Sequence, residues 1–152
     1  MGIGEICTRE VVFARKGDSV RDAAILMREH HVGSLVVVDD QAGKRVPVGL
    51  ITDRDVAVGV VALGLDPAKV GVGDVMSPEV VCEREDAGVA DTVSLMRQKG
   101  LRRLPVVDAS GALVGLVAAD DLLALLAEEL SGLASMVASE ESREVRQRRA
   151  VP

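Results

Sequence analysis

The stretch that decides the fold is GLITDRD at residues 49–55, because it returns as GLVAADD at residues 115–121, an offset of 66 residues. Upstream the offset becomes 69 residues, since the first copy has three extra residues in its loop from Asp40 to Val46. The residues identical in both copies there are Glu10, Val11, Val12, Arg15, Val20, Asp22, Leu26, Met27, Arg28, Leu35, Val37, Val38 and Asp39. A register kept over both stretches indicates an internal duplication of about 60 residues.

Each copy predicts the same elements in the same order, a β-α-β-β-α unit. A first strand is expected at Val11–Ala14 and at Val80–Cys82. Helical i, i+3, i+4, i+7 spacing follows, and Asp18-Ser19 is a typical N-cap before the first of these helices. Two β-branched runs then predict a hairpin in each copy, at Leu35–Val38 with Val48–Thr52 and at Leu104–Val107 with Leu113–Ala118. A last helix is expected from about Asp53 and from about Asp120.

The predicted fold is therefore α/β, with two tandem β-α-β-β-α repeats packed with pseudo-twofold symmetry and a short C-terminal helical tail. We expect repeat 1 at 6–67, a linker at 68–74, repeat 2 at 75–130 and the helical tail at 131–152. Gly64 and Pro67 mark the end of the first unit. A unit of about 60 residues buries only about 60% of its unfolded surface, so the two sheets are expected to share a core. The polar end of the tail, 140–149, favours a solvated charged face over an interaction helix.

The composition narrows the class of protein. Of 152 residues, 48% are hydrophobic, yet the chain has one Phe and neither Tyr nor Trp, so Val, Leu, Ile, Ala and Met must form the core. The scarcity of aromatics and a net charge of −6 argue against a nucleic-acid partner. The N-terminus MGIGEICTREVVF does not resemble a signal peptide. No apolar run approaches the ~18 residues of a membrane span. We therefore expect a cytoplasmic protein with no membrane partner.

The repeated motifs carry a resemblance to a known family. GLITDRD, RRLPVVD at 102–108 and GLVAADD, in this order, resemble a tandem pair of CBS domains, often called a Bateman module. The resemblance covers roughly residues 6–130. The segment TDRDVAVGVVALGLDP at 52–67 is similar to small stand-alone actinobacterial CBS-pair proteins that carry no catalytic domain. The resemblance implies a module with two clefts that pairs into a flat homodimer. It also implies that the module binds adenine nucleotides or S-adenosylmethionine and thereby regulates another protein.

Thr52 and Asp55 are the best candidates for a binding site. Thr52 ends a predicted strand directly before a helix, whose free N–H groups and dipole suit a phosphate. Asp55 lies in the first turn, and a carboxylate can accept the two hydrogen bonds of a ribose diol. The resemblance implies these uses, because the family pattern G-h-h-T-x-x-D matches at both positions. The alternative, which stays open, is that Thr52 is only an N-cap and Asp55 only a partner of the helix dipole.

The second copy departs from this pattern. Asp121 keeps the ribose-type carboxylate, but Ala118 replaces the Thr, and Asp120 would repel a phosphate. A lost hydrogen bond costs about 0.5–1.5 kcal/mol, and up to ~3 kcal/mol when it is charge-assisted. We therefore expect unequal clefts, with the Thr52/Asp55 cleft the tighter one. The resemblance implies that Arg102 and Arg103 reach phosphates; a surface pair that balances an acidic protein is the alternative.

Six further residues are weaker candidates for contact with a ligand or a metal. The resemblance allows Val12 and Val81 to form apolar walls for an adenine, although ordinary core positions are the more common use. The adjacent His30 and His31 point about 100° apart on a helix and predict no metal site. Cys7 and Cys82 are expected to be small buried hydrophobic residues.

The expected function is a non-catalytic regulatory module, since no nucleophile, metalloprotease or nucleotide-binding motif of an enzyme is present. It would bind AMP, ADP or ATP in the clefts between the repeats and signal to an unknown protein partner, with no cofactor required. S-adenosylmethionine and NAD(H) share the adenosine end that Asp55 would recognise. The alternatives are a ligand-independent dimerisation scaffold, which would use the stripes Leu122–Leu130 and Leu133–Val137, and an enzyme of unrecognised type.

Overall fold

The computed structural model describes residues 1–149 and contains two three-stranded sheets, one from each copy. In the first sheet, β1 (Phe13–Arg15) pairs in parallel with β2 (Ser34–Gln41), which pairs antiparallel with β3 (Lys44–Thr52). In the second sheet, β4 (Glu83–Arg84), β5 (Arg103–Val107) and β6 (Leu113–Ala118) repeat that order and those directions. Both central hairpins shift register at corresponding points, Val37/Val38 and Val106/Val107. The predicted α/β duplication is confirmed.

The predicted helices occur in the predicted order, and the structure adds two four-residue helices that the sequence analysis does not predict, Ile3–Ile6 and Val72–Val75. The structure has α1 (Ile3–Ile6), α2 (Val20–His30), α3 (Asp53–Val56), α4 (Val72–Val75), α5 (Val89–Lys99) and α6 (Ala119–Arg149). The N-cap of α2 is confirmed, because Ser19 Oγ accepts a hydrogen bond from the Asp22 N–H at 3.0 Å. However, α3 runs on as a π-helix at Ala57–Val61, and α6 continues past residue 131 without a break.

The first strand of each repeat begins later than the sequence predicts. The prediction was Val11–Ala14 and Val80–Cys82, whereas the strands are Phe13–Arg15 and Glu83–Arg84. In the second repeat, the register that pairs Glu83 with Val106 would place Cys82 beside Pro105. Proline has no N–H group to donate to the ladder, so pairing cannot extend to that position.

Two hydrophobic clusters form the interior, one on the helix-facing side of each sheet. The first consists of Ala14, Val20, Ala23, Met27, Leu35, Val37, Ile51, Val60 and Val72. The second consists of Ile3, Cys7, Met96, Leu104, Val106, Val117 and Leu122. Val36 and Val38 point to the opposite face of the first sheet and are only 1% exposed. That face is covered because β3 and β6 bring the two repeats into contact.

The segment that precedes each repeat packs on the other repeat. Ile3 in α1 is fully buried in the second cluster, and Val72 in α4 is fully buried in the first. The backbone of Thr8 exchanges two hydrogen bonds of 2.9 Å with Leu116. Ser77 makes the corresponding pair with Leu50. Each repeat therefore completes the core of its neighbour, and residues 68–74 contribute to the first cluster.

The β2–β3 turn contains a strained alanine. Ala42 and Gly43 connect the strands with φ values of +49° and +78°, as a two-residue turn with two left-handed residues requires. A left-handed conformation costs an ordinary residue roughly 1–2 kcal/mol, and Asn tolerates it better. We expect Ala42→Asn to raise the free energy of unfolding by about 0.5–1 kcal/mol in urea denaturation. Ala109→Asn, at an exposed loop position without positive φ, is the control and should change nothing; equal effects would contradict this explanation.

The helix α6 is longer than its counterpart in repeat 1, which ends at the turn containing Gly64, where φ is +66°.

An 18-residue window within Ala119–Arg146 has a mean hydropathy of 1.5, so α6 is long and apolar enough to cross a membrane by length and composition alone. Only 6% of that window is buried. The sequence prediction concerned unbroken apolar runs, and none of about 18 residues occurs in α6 because Glu128-Glu129 interrupts it. The window average includes these two residues, so it identifies a candidate span that the run length does not.

Candidate functional site

The predicted residues of the first site lie at one end of the first sheet. Because β1 and β2 are parallel and β3 is antiparallel to them, the starts of β1 and β2 meet the end of β3. Ser34 faces Thr52 across the β2–β3 pair, and Val12 directly precedes β1. Two interstrand spacings, about 10 Å, separate β1 from β3. The structure thus brings Val12, Thr52 and Asp55 to the same end, and all three are half-buried.

Thr52 and Asp55 form a reciprocal capping box at the start of α3. The Asp55 N–H donates to Thr52 Oγ1 at 3.1 Å, and the Thr52 N–H donates to Asp55 Oδ2 at 2.9 Å. Each side chain therefore satisfies a backbone N–H group at the helix terminus. Thr52 is thus an N-cap, as the alternative interpretation of this residue predicts.

The capping box leaves part of each side chain available. Within residues 1–149, no hydrogen bond reaches the second carboxylate oxygen of Asp55, and the Thr52 hydroxyl acts only as an acceptor. A carboxylate oxygen can accept more than one hydrogen bond, and a hydroxyl can donate one while it accepts another. The pair can therefore offer an acceptor and a donor to a ligand without losing its helix-capping contacts.

Arg54 is a neighbouring cation that the sequence reasoning missed. It lies in the first turn of α3 with an exposed side chain, and no ion pair involves it in the described part of the chain. Its backbone N–H donates to Asp53 Oδ1 at 2.8 Å. The signal was present in the repeat alignment, because the offset of 66 residues places Arg54 on Asp120. The residue before the motif's last aspartate is therefore a cation in the first copy, Arg54, and an anion in the second, Asp120.

The second sheet brings its candidates together in the same way but with weaker chemistry. Arg103 faces Ala118 across the β5–β6 pair, and Val81 lies half-buried ahead of β4. The Ala118 N–H donates to Asp121 Oδ2 at 3.2 Å. Alanine has no hydroxyl for the return contact, so only half of the capping box exists here.

The basic residues of the second copy have different environments. Arg102 forms an ion pair with Asp120, with Nη2 and Oδ1 3.3 Å apart, and both side chains are mostly exposed. Arg103 is also exposed, and no ion pair involves it among residues 1–149. Exposed ion pairs are weak, so a ligand phosphate could compete for Arg102, although it would meet the Asp120 carboxylate there.

A groove of about 490 Å³ lies beside the first site and not on it. It runs between β1 and α2, and its lining includes Val12, Phe13, Leu26 and His30. Thr52 and Asp55 are not part of the lining, although Val12 is shared. In the part of the chain that the structure describes, no three His, Cys, Asp or Glu residues group to hold a metal ion. The absence of a metal site stays a prediction.

The two cysteines differ in burial. Cys7 is buried, as predicted, and its Sγ donates to the Gly4 carbonyl at 3.6 Å. Cys82 is only half-buried, so the prediction of full burial is wrong for it. It lies directly before β4, which has only two residues. Burial nevertheless raises the pKa of the Cys82 thiol to about 11.

We expect Cys82 to alkylate slowly. At pH 8 its thiolate fraction is about a hundredfold below that of a thiol with pKa 9, and the thiolate is the reactive form. Mass spectrometry of iodoacetamide-treated protein should therefore show Cys82 reacting about a hundredfold faster in urea than in the native protein. Equal rates in the two states would contradict the burial-based explanation.

Comparisons with known proteins place the chain in a family. The CBS domain model matches residues 3–61 and 72–128. The chain belongs to the CBS domain family. Protein MK0525 of Methanopyrus kandleri is 40% identical to this CBS pair over 123 residues, which are 81% of the chain and 61% of MK0525. The chain thus matches less than two thirds of that relative's length.

Two solved CBS structures are similar in both sequence and fold. The CBS domain pair of protein MJ0100, in complex with 5′-methylthioadenosine and S-adenosyl-L-methionine, has a TM-score of 0.72 and 25% identity, covering 85% of this chain and 98% of that one. CBSX2 in complex with AMP has a TM-score of 0.69 and 26% identity, covering 84% of this chain and 96% of that one. Ligands that share an adenosine unit thus occur in both.

Proposed function

We propose that this CBS pair is a non-catalytic regulatory module that binds an adenosine-containing ligand, with AMP, ADP or ATP preferred. The Thr52–Asp55 pair carries the proposal, because it matches the family motif and keeps an unused acceptor and donor beside its capping contacts. The ligands of the MJ0100 and CBSX2 structures support the adenosine class. S-adenosylmethionine and NAD(H) remain alternatives, since they present the same ribose to Asp55.

Each residue of the first site has a distinct role in this proposal. The Asp55 carboxylate accepts hydrogen bonds from the ribose hydroxyls, and the Thr52 hydroxyl donates to a phosphate oxygen. Arg54 supplies the positive charge that the phosphate requires, and its guanidinium can contact two oxygens at once. Val12 forms an apolar wall for the adenine at the opposite side of the sheet end.

In this proposal the second cleft binds the adenosine ligand more weakly than the first. Asp121 is its ribose-binding residue, with Val81 as the apolar wall and Arg102 and Arg103 near the phosphate. Ala118 supplies no hydroxyl, and Asp120 both repels a phosphate and holds Arg102. The cleft therefore lacks one donor and shares its cation with a carboxylate.

The ligand acts on an unknown partner by changing how the two repeats are oriented relative to each other. It can do so only through different affinities for two arrangements of the module. The segments that precede the repeats, which contain Ile3 and Val72, each pack into the core of the other repeat. Closure of one cleft therefore moves both repeats. Ligand-free and ligand-bound structures with the same inter-repeat geometry would contradict this step. Homodimer formation and a cytoplasmic location stay predictions.

A thermal-shift panel tests the ligand class. At 100 times Kd a ligand adds about 2.7 kcal/mol of stability, which raises the Tm of a chain of this size by about 5–10 °C. AMP, ADP, ATP, S-adenosylmethionine and NADH are compared with GMP. Because the chain has no Tyr or Trp, absorbance near 260 nm reveals any nucleotide that co-purified. A nucleotide-free protein whose Tm ignores all five adenosine ligands would contradict the proposal.

A ligand-independent dimerisation scaffold is the second candidate. It is favoured by the leucines of α6, several of which are more than half exposed. It predicts a stable oligomer whose Tm does not respond to nucleotides, so the same panel separates the two functions.

A further inference from the structure

The helix α6 carries an exposed apolar stripe past the end of the family match. The CBS domain model ends at residue 128, whereas α6 runs to Arg149. Leu130, Leu133 and Val137 follow each other at spacings of three and four residues, and each is more than half exposed. This spacing is the a and d pattern of a coiled coil, so all three side chains lie on one face and can pack against a further helix.

Two carboxylates continue this stripe. Glu140 and Glu144 come three and seven residues after Val137, so they occupy the next d and a positions. Both are exposed, and no ion pair among the described residues involves either of them. The whole stripe, called here the distal seam, consists of Leu130, Leu133, Val137, Glu140 and Glu144.

The residues on both sides of the distal seam leave its charge unchanged. At the flanking e and g positions, Glu129 and Glu141 are acidic, whereas Arg143 and Arg148 are basic. Their charges cancel, so the two carboxylates within the seam give this face of α6 a net negative charge.

A second copy of the chain fits the distal seam poorly. In a parallel, in-register pair, Glu140 and Glu144 would each face their own counterpart, and like charges placed opposite each other repel. An antiparallel pair that aligns Leu130 with Leu133 would place Glu140 against Leu123, where the carboxylate meets no cation. A bilayer fits no better, because the two carboxylates would enter the apolar layer together with the stripe.

We propose that the distal seam binds a helix of a different protein, one that has an apolar stripe and basic residues at the positions facing Glu140 and Glu144. Contact with Leu130, Leu133 and Val137 supplies the affinity, and the two ion pairs select the partner and fix its register. The seam serves the protein partner that the proposed function requires, but it rests on α6 alone. Ligand binding and partner binding can therefore fail separately.

Labelled synthetic peptides test the chemistry of the partner on the full chain. The probe is a helical peptide with leucine facing the apolar seam residues and lysine facing Glu140 and Glu144, made in both sequence orders for parallel and antiparallel binding. In fluorescence anisotropy we expect this peptide to bind at least about tenfold more tightly than the same peptide with glutamate in place of lysine. Glu140→Lys with Glu144→Lys should reverse the preference. Equal binding of the two peptides, or no binding of the lysine peptide in either order, would overturn the proposal.

Sedimentation of the full chain separates the partner surface from self-association. Leu130→Glu with Leu133→Glu is expected to abolish binding of the lysine peptide, while the mass and the Tm stay at the wild-type values because both positions are exposed. The matched control, Ser131→Glu with Ser135→Glu on the opposite face of α6, should keep peptide binding. A lower mass of the leucine variant would show that a second copy occupies the seam and would overturn the proposal. Binding of the wild type to vesicles of phosphatidylcholine and phosphatidylserine, lost in the same variant, would overturn it in favour of a membrane.

Discussion

The variant Asp55→Asn is expected to bind the preferred adenine nucleotide roughly 10- to 150-fold more weakly than the wild type, while its Tm without ligand stays unchanged. The amide oxygen still accepts the Thr52 N–H, so the capping box is kept. The second carboxylate oxygen becomes an NH₂ group, which cannot accept a hydrogen bond from a ribose hydroxyl. A hydrogen bond to a charged group contributes about 1.5–3 kcal/mol, which corresponds to that loss of affinity. Equilibrium dialysis measures it.

The duplication supplies the matched control for this experiment. Asp121→Asn makes the same chemical change at the corresponding position of repeat 2 and keeps the corresponding cap, the contact from the Ala118 N–H. Because Ala118 provides no hydroxyl and Arg102 is held by Asp120, we expect the tighter binding event to stay within about twofold of wild type. Equal losses in both variants, or unchanged binding by Asp55→Asn, would contradict the assignment of the tighter cleft.

The variant Gly49→Ala is expected to lower the free energy of unfolding by about 1–3 kcal/mol, as overpacking of an interior typically does. A Cβ atom at residue 49 would lie 2.6 Å from Met76 Sδ and 2.7 Å from the Ser77 carbonyl oxygen. Two backbone hydrogen bonds hold Ser77 against Leu50. The segment that contains Met76 and Ser77 must therefore shift to make room for the added methyl group. Urea denaturation followed by circular dichroism measures the loss.

Gly17→Ala is the control for the glycine variant, because no atom lies within 4 Å of a Cβ at that position and its φ is not positive. Its free energy of unfolding should remain within about 0.5 kcal/mol of wild type. Gly115→Ala should resemble Gly49→Ala, since its Cβ would collide with Cys7 in the corresponding segment. A tolerated Gly49→Ala would show that the packing of Met76 and Ser77 against Gly49 is loose.

The glycine also shows how far the sequence predicts the fold. The place of Gly49 in a repeated motif is visible in the sequence, and the strand and helix patterns of each copy predict the order of every element except the short helices α1 and α4. The reason for the glycine was not visible, because it depends on a segment about 27 residues further along the chain. The helices α1 and α4 have only four residues each, too few for a helical period. Residues such as Ile3 and Val72 therefore give no sign in the sequence that they complete the other repeat.

The candidate site was predictable where its residues are neighbours in sequence. Thr52 and Asp55 are three residues apart, so their juxtaposition follows from one turn of helix. The ion pair between Arg102 and Asp120 joins residues 18 positions apart and depends on the β5–β6 hairpin bringing them together. Arg54 was missed for a different reason. It occupies a variable position of the motif, and only its exposed place beside the Thr52–Asp55 pair makes it a candidate.

The most direct test of the account is calorimetric titration of nucleotide-free protein with AMP and with ATP. The account predicts saturable binding with one tight event per chain, at micromolar Kd or below, and loss of that event in Asp55→Asn. Absence of heat with AMP, ATP, ADP, S-adenosylmethionine and NADH, or a tight event that survives Asp55→Asn, would contradict the claim that the Thr52–Asp55 pair binds an adenosine ligand.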